Sequence, residues 1–282
     1  MKKNSKKRNN YFANIEANQN TKEKTKFQPI KSLLAIKQIP LTGRHTILSA
    51  LNNKNRKLHY LITTAENHSK WEEEIGKLKL KLNVIVKSKE EIDKINNYKP
   101  HQNAILVTEP LQRLTMDEFL SNDKFKNKIP IRLIILDEVT DPQNVGAIIR
   151  SALAFKMDGL ALSQRNSPQE TSSLNKASSG ALEKLQIIEL SNMSREIKKL
   201  QRVNFSIFGL ASEGEKDVYG LENETGNVAL ILGSEGKGLR RLTKENVDSL
   251  IKIPINVESN SLNVSNAASV AMFQLQKNIT KN

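Results

Sequence analysis

The chain has 282 residues, a formal net charge of +14 and no cysteine. This length allows one or two domains that each bury a core, and the absence of cysteine excludes disulfides, thiolate metal sites and cysteine nucleophiles. No apolar run approaches the roughly 20 residues that span a bilayer. Composition therefore predicts a cytoplasmic protein without a membrane partner.

Residues 1–29 lack apolar periodicity and are rich in lysine and asparagine, which predicts a basic disordered tail. Residues 30–112 alternate between short helical and extended patterns, which predicts a small α/β domain. The predicted helices are 31–38, 46–52 and about 71–79, and the predicted strands are 58–63, 83–86 and 104–107. Residues 113–128, polar and lysine-rich toward their end, predict a linker.

Residues 129–282 alternate between strand and helix patterns throughout. The predicted strands are 131–136, 159–163, 185–190, 206–211, 227–232 and 251–253, and the predicted helices are 143–156, 171–179, 193–202, 243–249 and 262–277. Such alternation predicts an α/β fold whose mainly parallel sheet carries helices on both faces. Ligands of these sheets bind at the carboxyl ends of the strands.

The positive charge is concentrated in the N-terminal part of the chain. Residues 1–30 hold 8 basic and 2 acidic residues, residues 31–128 hold 18 and 11, and residues 129–282 hold 18 and 17. A basic surface attracts polyphosphate, so we expect the N-terminal part to bind nucleic acid. A basic solubilising surface would have the same composition.

Within the predicted C-terminal domain, a helix pattern begins near Asp141, a plausible cap, with Pro142 at the first position. Its apolar stripe consists of Val145, Ile148, Ile149 and Ala152. Arg150 points away from that stripe and Asn144 to its flank. Arg150 is thus available to a ligand or partner, although a solvated arginine would give the same pattern.

Three glycines surround one carboxylate, Glu235, where the apolar run 227–232 ends. The order of the glycines differs from the dinucleotide fingerprint, and Lys237 is followed by Gly238 instead of the hydroxyl residue of a phosphate-binding loop. The segment is either a loop whose backbone lies against a ligand or a plain connection to a helix capped by Thr243.

All four histidines lie within the first 101 residues. The C-terminal domain can therefore contain neither a serine–histidine triad nor a histidine metal site. Farther along, Ser261 is a plausible cap for the last helix, whose small residues would let another helix approach closely.

Three segments in this order resemble the motifs of the SpoU (TrmH) family of SPOUT RNA 2'-O-methyltransferases. They are Asn144-Val-Gly146 with Arg150, Gly233-Ser-Glu-Gly-Lys-Gly238, and Ile253-Pro254 with Ser261-Leu-Asn-Val-Ser265. Residues 176–181, with Glu183, resemble the region between motifs. Residues 43–51 and 100–102 resemble landmarks of the RNA-binding domain of the branch that modifies 23S rRNA guanosine, although Asn103 stands where that branch usually has glycine.

The resemblance implies a trefoil knot and a homodimer that forms through the C-terminal domain. It also implies that S-adenosyl-L-methionine lies against backbone near Leu210, Gly233, Ile253 and Leu262, with no metal. The catalytic set would be Arg150, Asn144, Glu235, Ser261 and Asn263. In the family the arginine is favoured for activating the 2'-hydroxyl, but a guanidinium normally stays protonated. We therefore assign Arg150 to binding the target phosphate or polarising the hydroxyl.

Glu235 and Asn144 would orient RNA or the arginine, and Ser261 and Asn263 would hydrogen-bond the ribose or cofactor. The predicted function is S-adenosylmethionine-dependent methylation of the ribose 2'-OH of a guanosine in 23S rRNA. Two alternatives remain at this point. One is ribose methylation of tRNA, and the other is a non-catalytic rRNA-binding or ribosome-assembly factor.

Overall fold

The structure is a computed structural model that describes residues 37–126, 128, 130–164, 167–256, 258 and 261–276. The predicted basic tail and residues 31–36 of the first predicted helix lie outside the described residues. Within the described residues, no helix is both long and apolar enough to cross a membrane.

The N-terminal part is built on a four-stranded sheet in the order β1-β4-β2-β3. Strand β4 is antiparallel to β1 and β2, whereas β2 and β3 are parallel. The strands are β1 (Ile39–Thr42), β2 (Leu58–Thr63), β3 (Asn83–Val86) and β4 (Ala104–Thr108), and the helices are α1 (Arg44–Asn52), α2 (Ala65–Lys77) and α3 (Lys89–Ile95). Helices cover the apolar core, which includes Leu61, Trp71 and Leu106.

Two of these elements differ from the prediction. Lys37, inside the predicted helix 31–38, adopts a φ of 76° in a turn, and residues 39–42 form an edge strand that was not predicted. Pro40 lacks a backbone donor, which is tolerated at an edge. Helix α3 was missed because its seven residues bury only Ile92 and Ile95, too few to show a period.

The segment 113–128, predicted as a linker, contains secondary structure that packs against the larger sheet. It contains β5 (Leu114–Thr115), α4 (Met116–Ser121) and α5 (Asp123–Lys126), and β5 pairs with β8. Thr115 and Glu118 form a capping box that starts α4. The buried Met116 and Phe119 then attach α4 to the sheet.

The larger sheet has eight strands in the order β10-β12-β9-β11-β6-β7-β8-β5, and every described pair is parallel. The remaining strands are β6 (Arg132–Asp137), β7 (Gly159–Ser163), β8 (Gln186–Leu190), β9 (Phe205–Leu210), β10 (Lys216–Asp217), β11 (Asn227–Gly233) and β12 (Ser249–Lys252). This arrangement confirms the predicted fold class. The trefoil knot stays a prediction.

Helices cover both faces of this sheet. They are α6 (Pro142–Ala154), α7 (Ser172–Ser178), α8 (Met193–Arg202), α9 (Arg241–Asn246) and α10 (Val264–Gln276). Ile134 and Leu136 share a core with α6, α7 and α10, whereas Leu133 and Ile135 share one with α4 and α8. A strand covered on both faces needs such a continuous apolar run.

The helix caps differ from those predicted in two places. Helix α9 begins at Arg241, so Thr243 lies inside it, where its buried hydroxyl binds Asp137. Helix α10 begins at Val264, so the residue at its capping position is Asn263 and not the predicted Ser261. The Thr243 hydroxyl binds the distant Asp137 instead of a local backbone N–H. At α10 the neighbouring Asn263, and not Ser261, supplies the side chain that accepts from the first turn.

Candidate active site

Three polar side chains from the three sequence motifs meet at the carboxyl end of the sheet. Glu235 Oε1 accepts from Asn144 Nδ2 at 2.8 Å and from Asn263 Nδ2 at 2.7 Å. Asn263 Nδ2 also lies 3.0 Å from Asn144 Oδ1, across 119 residues of sequence. We call these three residues the carboxamide cluster.

Helix starts position both asparagines of the cluster. Asp141 Oδ1 accepts from Gln143 N at 3.1 Å, so the predicted cap is confirmed and Asn144 lies in the first turn of α6. Asn263 Oδ1 accepts from Ser265 N at 2.9 Å and Ser265 Oγ at 2.6 Å, at the start of α10. The side-chain carbonyl of Asn263 therefore caps the helix while its Nδ2 is directed at Glu235.

The glycines shape the loop that presents Glu235. A Cβ on Gly233 would lie 2.1 Å from the carbonyl carbon of Gly238, so this position accepts only glycine. Ser234 and Gly238 exchange backbone hydrogen bonds of 3.2 and 2.9 Å, and Gly236 and Gly238 have φ values of 81° and 65°. The loop therefore doubles back tightly and leaves Glu235 exposed.

An ion pair fastens this loop to the neighbouring strand. Asp137, fully buried at the end of β6, accepts from Arg240 Nε at 2.6 Å, Arg240 N at 3.1 Å and Thr243 Oγ1 at 2.7 Å. Sequence reasoning assigned no role to Asp137 or Arg240, and to Thr243 only that of a helix cap. The available signal was a carboxylate that ends an apolar strand, because a buried charge needs partners.

Three of the four predicted cofactor contacts lie along the same edge, and the fourth, Leu262, directly precedes Asn263 of the carboxamide cluster. Leu210 ends β9 and is paired with Leu232 of β11 and Ile251 of β12, while Gly233 ends β11 and Ile253 follows β12. Leu210 and Ile253 are half-buried, and Leu262 is 39% exposed. Apolar side chains left partly open beside a glycine loop fit the adenosine part of S-adenosylmethionine.

A second ion pair lies beside this carboxyl edge of the sheet. Lys244 on α9 pairs with Glu213 in the loop after β9. The hydrogen bond from the Lys244 ammonium lowers the pKa of the Glu213 carboxyl below its ordinary value. The pair connects the ends of two elements that flank the predicted cofactor contacts.

Two predicted catalytic residues lie outside the carboxamide cluster. Arg150 is exposed, and its side chain makes no hydrogen bond or ion pair with the described residues. It follows Asn144 by six residues, which on a helix means about 9 Å along the axis and a different face. Ser261 is exposed, two residues before Asn263. In the described part of the chain, no group of three or more metal-ligating side chains is placed to hold a metal ion.

Two family profiles match the chain. Residues 132–273 match the SpoU rRNA methylase family, and residues 40–114 match the domain described as RNA 2'-O ribose methyltransferase substrate binding. The first match spans half of the sequence. The chain therefore belongs to the SpoU rRNA methylase family, which confirms the resemblance inferred from the three motifs.

Similar curated proteins carry related names. The 23S rRNA (guanosine-2'-O-)-methyltransferase RlmB of Coxiella burnetii is 38% identical over 198 residues, 70% of this chain and 78% of that protein. The putative TrmH family tRNA/rRNA methyltransferase of Staphylococcus aureus is 35% identical over 176 residues, 62% of this chain and 70% of that protein.

Solved structures share the fold at lower sequence identity. The SpoU methyltransferase AviRb from Streptomyces viridochromogenes, in complex with the cofactor AdoMet, is 19% identical with a TM-score of 0.74, covering 92% of this chain and 99% of that one. An AdoMet-bound rRNA methyltransferase from Sinorhizobium meliloti is 19% identical with a TM-score of 0.72, covering 86% and 87%. These likenesses establish that both domains have known counterparts in fold.

Proposed function

We propose that this protein transfers the methyl group of S-adenosylmethionine to the ribose 2'-OH of a guanosine in 23S rRNA. The observation that carries this proposal is the carboxamide cluster, which lies beside the ends of β9, β11 and β12 where the cofactor contacts are expected. The name of the Coxiella burnetii relative supports the guanosine of 23S rRNA as the target.

When bound, S-adenosylmethionine supplies a methyl group on a positively charged sulfur, an electrophile that needs no metal. The chain must then hold the ribose hydroxyl in line and help it lose a proton. Glu235 Oε1 already accepts two hydrogen bonds, whereas Oε2 makes none within the described chain. We assign Glu235 Oε2 to accepting a hydrogen bond from an RNA hydroxyl, with Asn144 and Asn263 holding the carboxylate in place.

Arg150 is proposed to bind the target phosphate or to polarise the hydroxyl, and Ser261 to hydrogen-bond the ribose or cofactor. The position of Arg150 bears on the first role. Because it is exposed and does not contact Glu235, its guanidinium is open to a phosphate that approaches from solvent. A planar guanidinium can donate two parallel hydrogen bonds to such a group.

A homodimer formed through the C-terminal domain is proposed from the outer faces of α6 and α10. The two helices pack together, with Ser269 Oγ 2.8 Å from Ser151 Oγ and the rings of Phe155 and Phe273 6.0 Å apart. Phe273 nevertheless remains 50% exposed, and Val270, one turn earlier, 37% exposed. Such a neighbouring apolar pair is suited to burial against a second copy. As an rRNA-modifying enzyme, the protein would act in the cytoplasm.

A transfer assay tests the proposed function. Purified protein is incubated with labelled S-adenosylmethionine and, separately, with 23S rRNA and tRNA from cells that lack it. We expect label in 23S rRNA, recovered as 2'-O-methylguanosine, and none when Glu235→Gln replaces the natural protein. Label only in tRNA would support the tRNA alternative, and binding of rRNA without transfer would support the non-catalytic one.

A further inference from the structure

A buried arginine lies between the two parts of the protein. Arg56, in the turn between α1 and β2, has a fully buried side chain. Its Nη1 lies 2.7 Å from Glu170 Oε1, its Nη2 2.5 Å from Glu183 Oε1 and its Nε 3.2 Å from Glu183 Oε2. The side chains of Glu170 and Glu183 are only 8% and 1% exposed. We call these three residues the interdomain arginine cluster.

The cluster also holds the connection between the two parts. Arg56 Nη1 donates to the Glu109 carbonyl at 2.8 Å, and Glu170 Oε2 accepts from Leu111 N at 2.7 Å. Asn53 Nδ2 donates to Glu183 Oε2 at 2.7 Å. Both carboxylates therefore have several partners, as buried charges require.

The surfaces around the cluster fit closely. A Cβ on Gly180, whose φ is 83°, would lie 2.3 Å from Ser49 Oγ and 3.3 Å from the His45 carbonyl oxygen. Thr42 Oγ1 and Ser172 Oγ are 3.4 Å apart. Helix α1 and strand β1 thus meet α7 and the turn that follows it at van der Waals distance.

Helix α7 links this contact to the active site. A Cβ on Gly146 of α6 would lie 2.5 Å from Ala177 Cβ, so α6 and α7 are in close contact. Gln143, the neighbour of Asn144, donates from Nε2 to Ser173 Oγ at 2.7 Å. Strand β1 of the RNA-binding domain and helix α6, which carries Asn144, therefore both contact helix α7.

One buried guanidinium and two buried carboxylates add little net stability to an interface, because the free energy lost in removing the charges from water is about as large as that gained from their attraction. Such a cluster does select one geometry, since a guanidinium between two carboxylates has few satisfied arrangements. Resting on the proposed function, we infer that Arg56, Glu170 and Glu183 are positioning residues. They fix the RNA-binding domain at one angle to the carboxamide cluster, so that bound rRNA presents its target ribose to Glu235.

The test uses Arg56→Met in the full-length protein. Because this change frees the RNA-binding domain, we expect KM for a long 23S rRNA fragment to rise at least tenfold, while kcat at saturating RNA and Kd for S-adenosylmethionine change less than threefold. X-ray scattering should show a larger radius of gyration, and the segment 109–113 should become sensitive to protease. Arg202→Met is the control, because it makes the same change at an exposed arginine of α8, outside both the RNA-binding domain and the carboxamide cluster.

A cross-link separates positioning from simple destabilisation. The chain has no cysteine, so Thr42→Cys with Ser172→Cys can form only one intramolecular disulfide, across the domain contact. In the Arg56→Met protein, oxidation of this pair should restore the natural KM, and reduction should remove the rescue. If thermal melts show that Arg56→Met does not fold, Glu183→Gln carries the same test.

An unchanged KM in Arg56→Met, or no rescue by the disulfide, would overturn the inference. Failure of the proposed function gives a different result. The natural protein would then not methylate 23S rRNA, while scattering and proteolysis would still report whether Arg56 fixes the domain angle.

Discussion

Asn263 binds Glu235 with one end of its side chain and caps α10 with the other. Its Nδ2 lies 2.7 Å from Glu235 Oε1, and its Oδ1 lies 2.9 Å from Ser265 N. One amide therefore both stabilises the start of the last helix and helps to place the carboxylate. The two roles can be separated, because aspartate caps a helix as well as asparagine does but cannot donate to a carboxylate.

Asn263→Asp should slow methyl transfer strongly while leaving the helix intact. The introduced carboxylate would lie beside Glu235 and repel it, so we expect the single-turnover rate to fall about 100-fold, as for loss of one preorganised donor. The free energy of unfolding should change little. Asn263→Ala should show the same fall in rate. Because the helix cap is also lost, its free energy of unfolding should fall by about 1 kcal/mol. A normal rate in the aspartate variant would remove Asn263 from the site.

Gly233→Ala should damage the Glu235 loop. The added methyl would overlap the backbone of Gly238, and backbone cannot rotate away, so we expect a loss of about 1–3 kcal/mol and weaker binding of S-adenosylmethionine. Denaturant unfolding and calorimetry measure the two effects. Gly220→Ala is the control, because a Cβ there meets no atom within 4 Å. Equal stability of the two variants would contradict the tight loop.

Asp137→Asn should loosen the connection between β6 and the loop. The amide keeps the size of the side chain but has only one accepting oxygen, so either Arg240 or the buried Thr243 hydroxyl loses its acceptor, at a cost of about 1–3 kcal/mol. Asp217→Asn, at an exposed position, is the matched control. Chemical denaturation of both variants provides the comparison. A stability equal to that of the control would mean that the ion pair does not hold the loop.

Arg150→Ala should affect chemistry without affecting stability. The side chain is exposed, so the free energy of unfolding should shift by only about 0.5 kcal/mol, while the rate at saturating RNA and donor should fall on the order of 100-fold. Arg150→Lys should also fail, because an ammonium lacks the forked donor geometry. Lys156→Ala, another exposed cation near the end of the same helix, should keep the rate. If Arg150→Ala also keeps it, Arg150 is an ordinary solvated residue.

The convergence of Asn144, Glu235 and Asn263 could be predicted because it follows from local patterns. Apolar runs identify parallel strands, and the carboxyl ends of such strands share an edge. The contact of Asp137 with Arg240 could not be predicted in the same way. The two residues are 103 positions apart, and an ion pair leaves no periodicity in the sequence.

The interdomain arginine cluster was missed for a related reason. Arg56 lies in a short polar turn, where the sequence pattern indicates a solvated side chain, and its partners lie 114 and 127 residues later in the chain. Burial of such a residue depends on how two folded units meet. The edge strand β1 was also missed, since four residues that include Pro40 show no alternation and gain their order from β4.

Mapping of ribose methylation tests the central claim most directly. The rRNA and tRNA of cells that contain the protein, lack it, or contain only Glu235→Gln are compared nucleotide by nucleotide for 2'-O-methyl groups. We predict that one guanosine of 23S rRNA is methylated only with the natural protein, and that every tRNA position is unchanged. An identical 23S rRNA pattern in all three, or loss of a methyl group from tRNA instead, would contradict the proposed function.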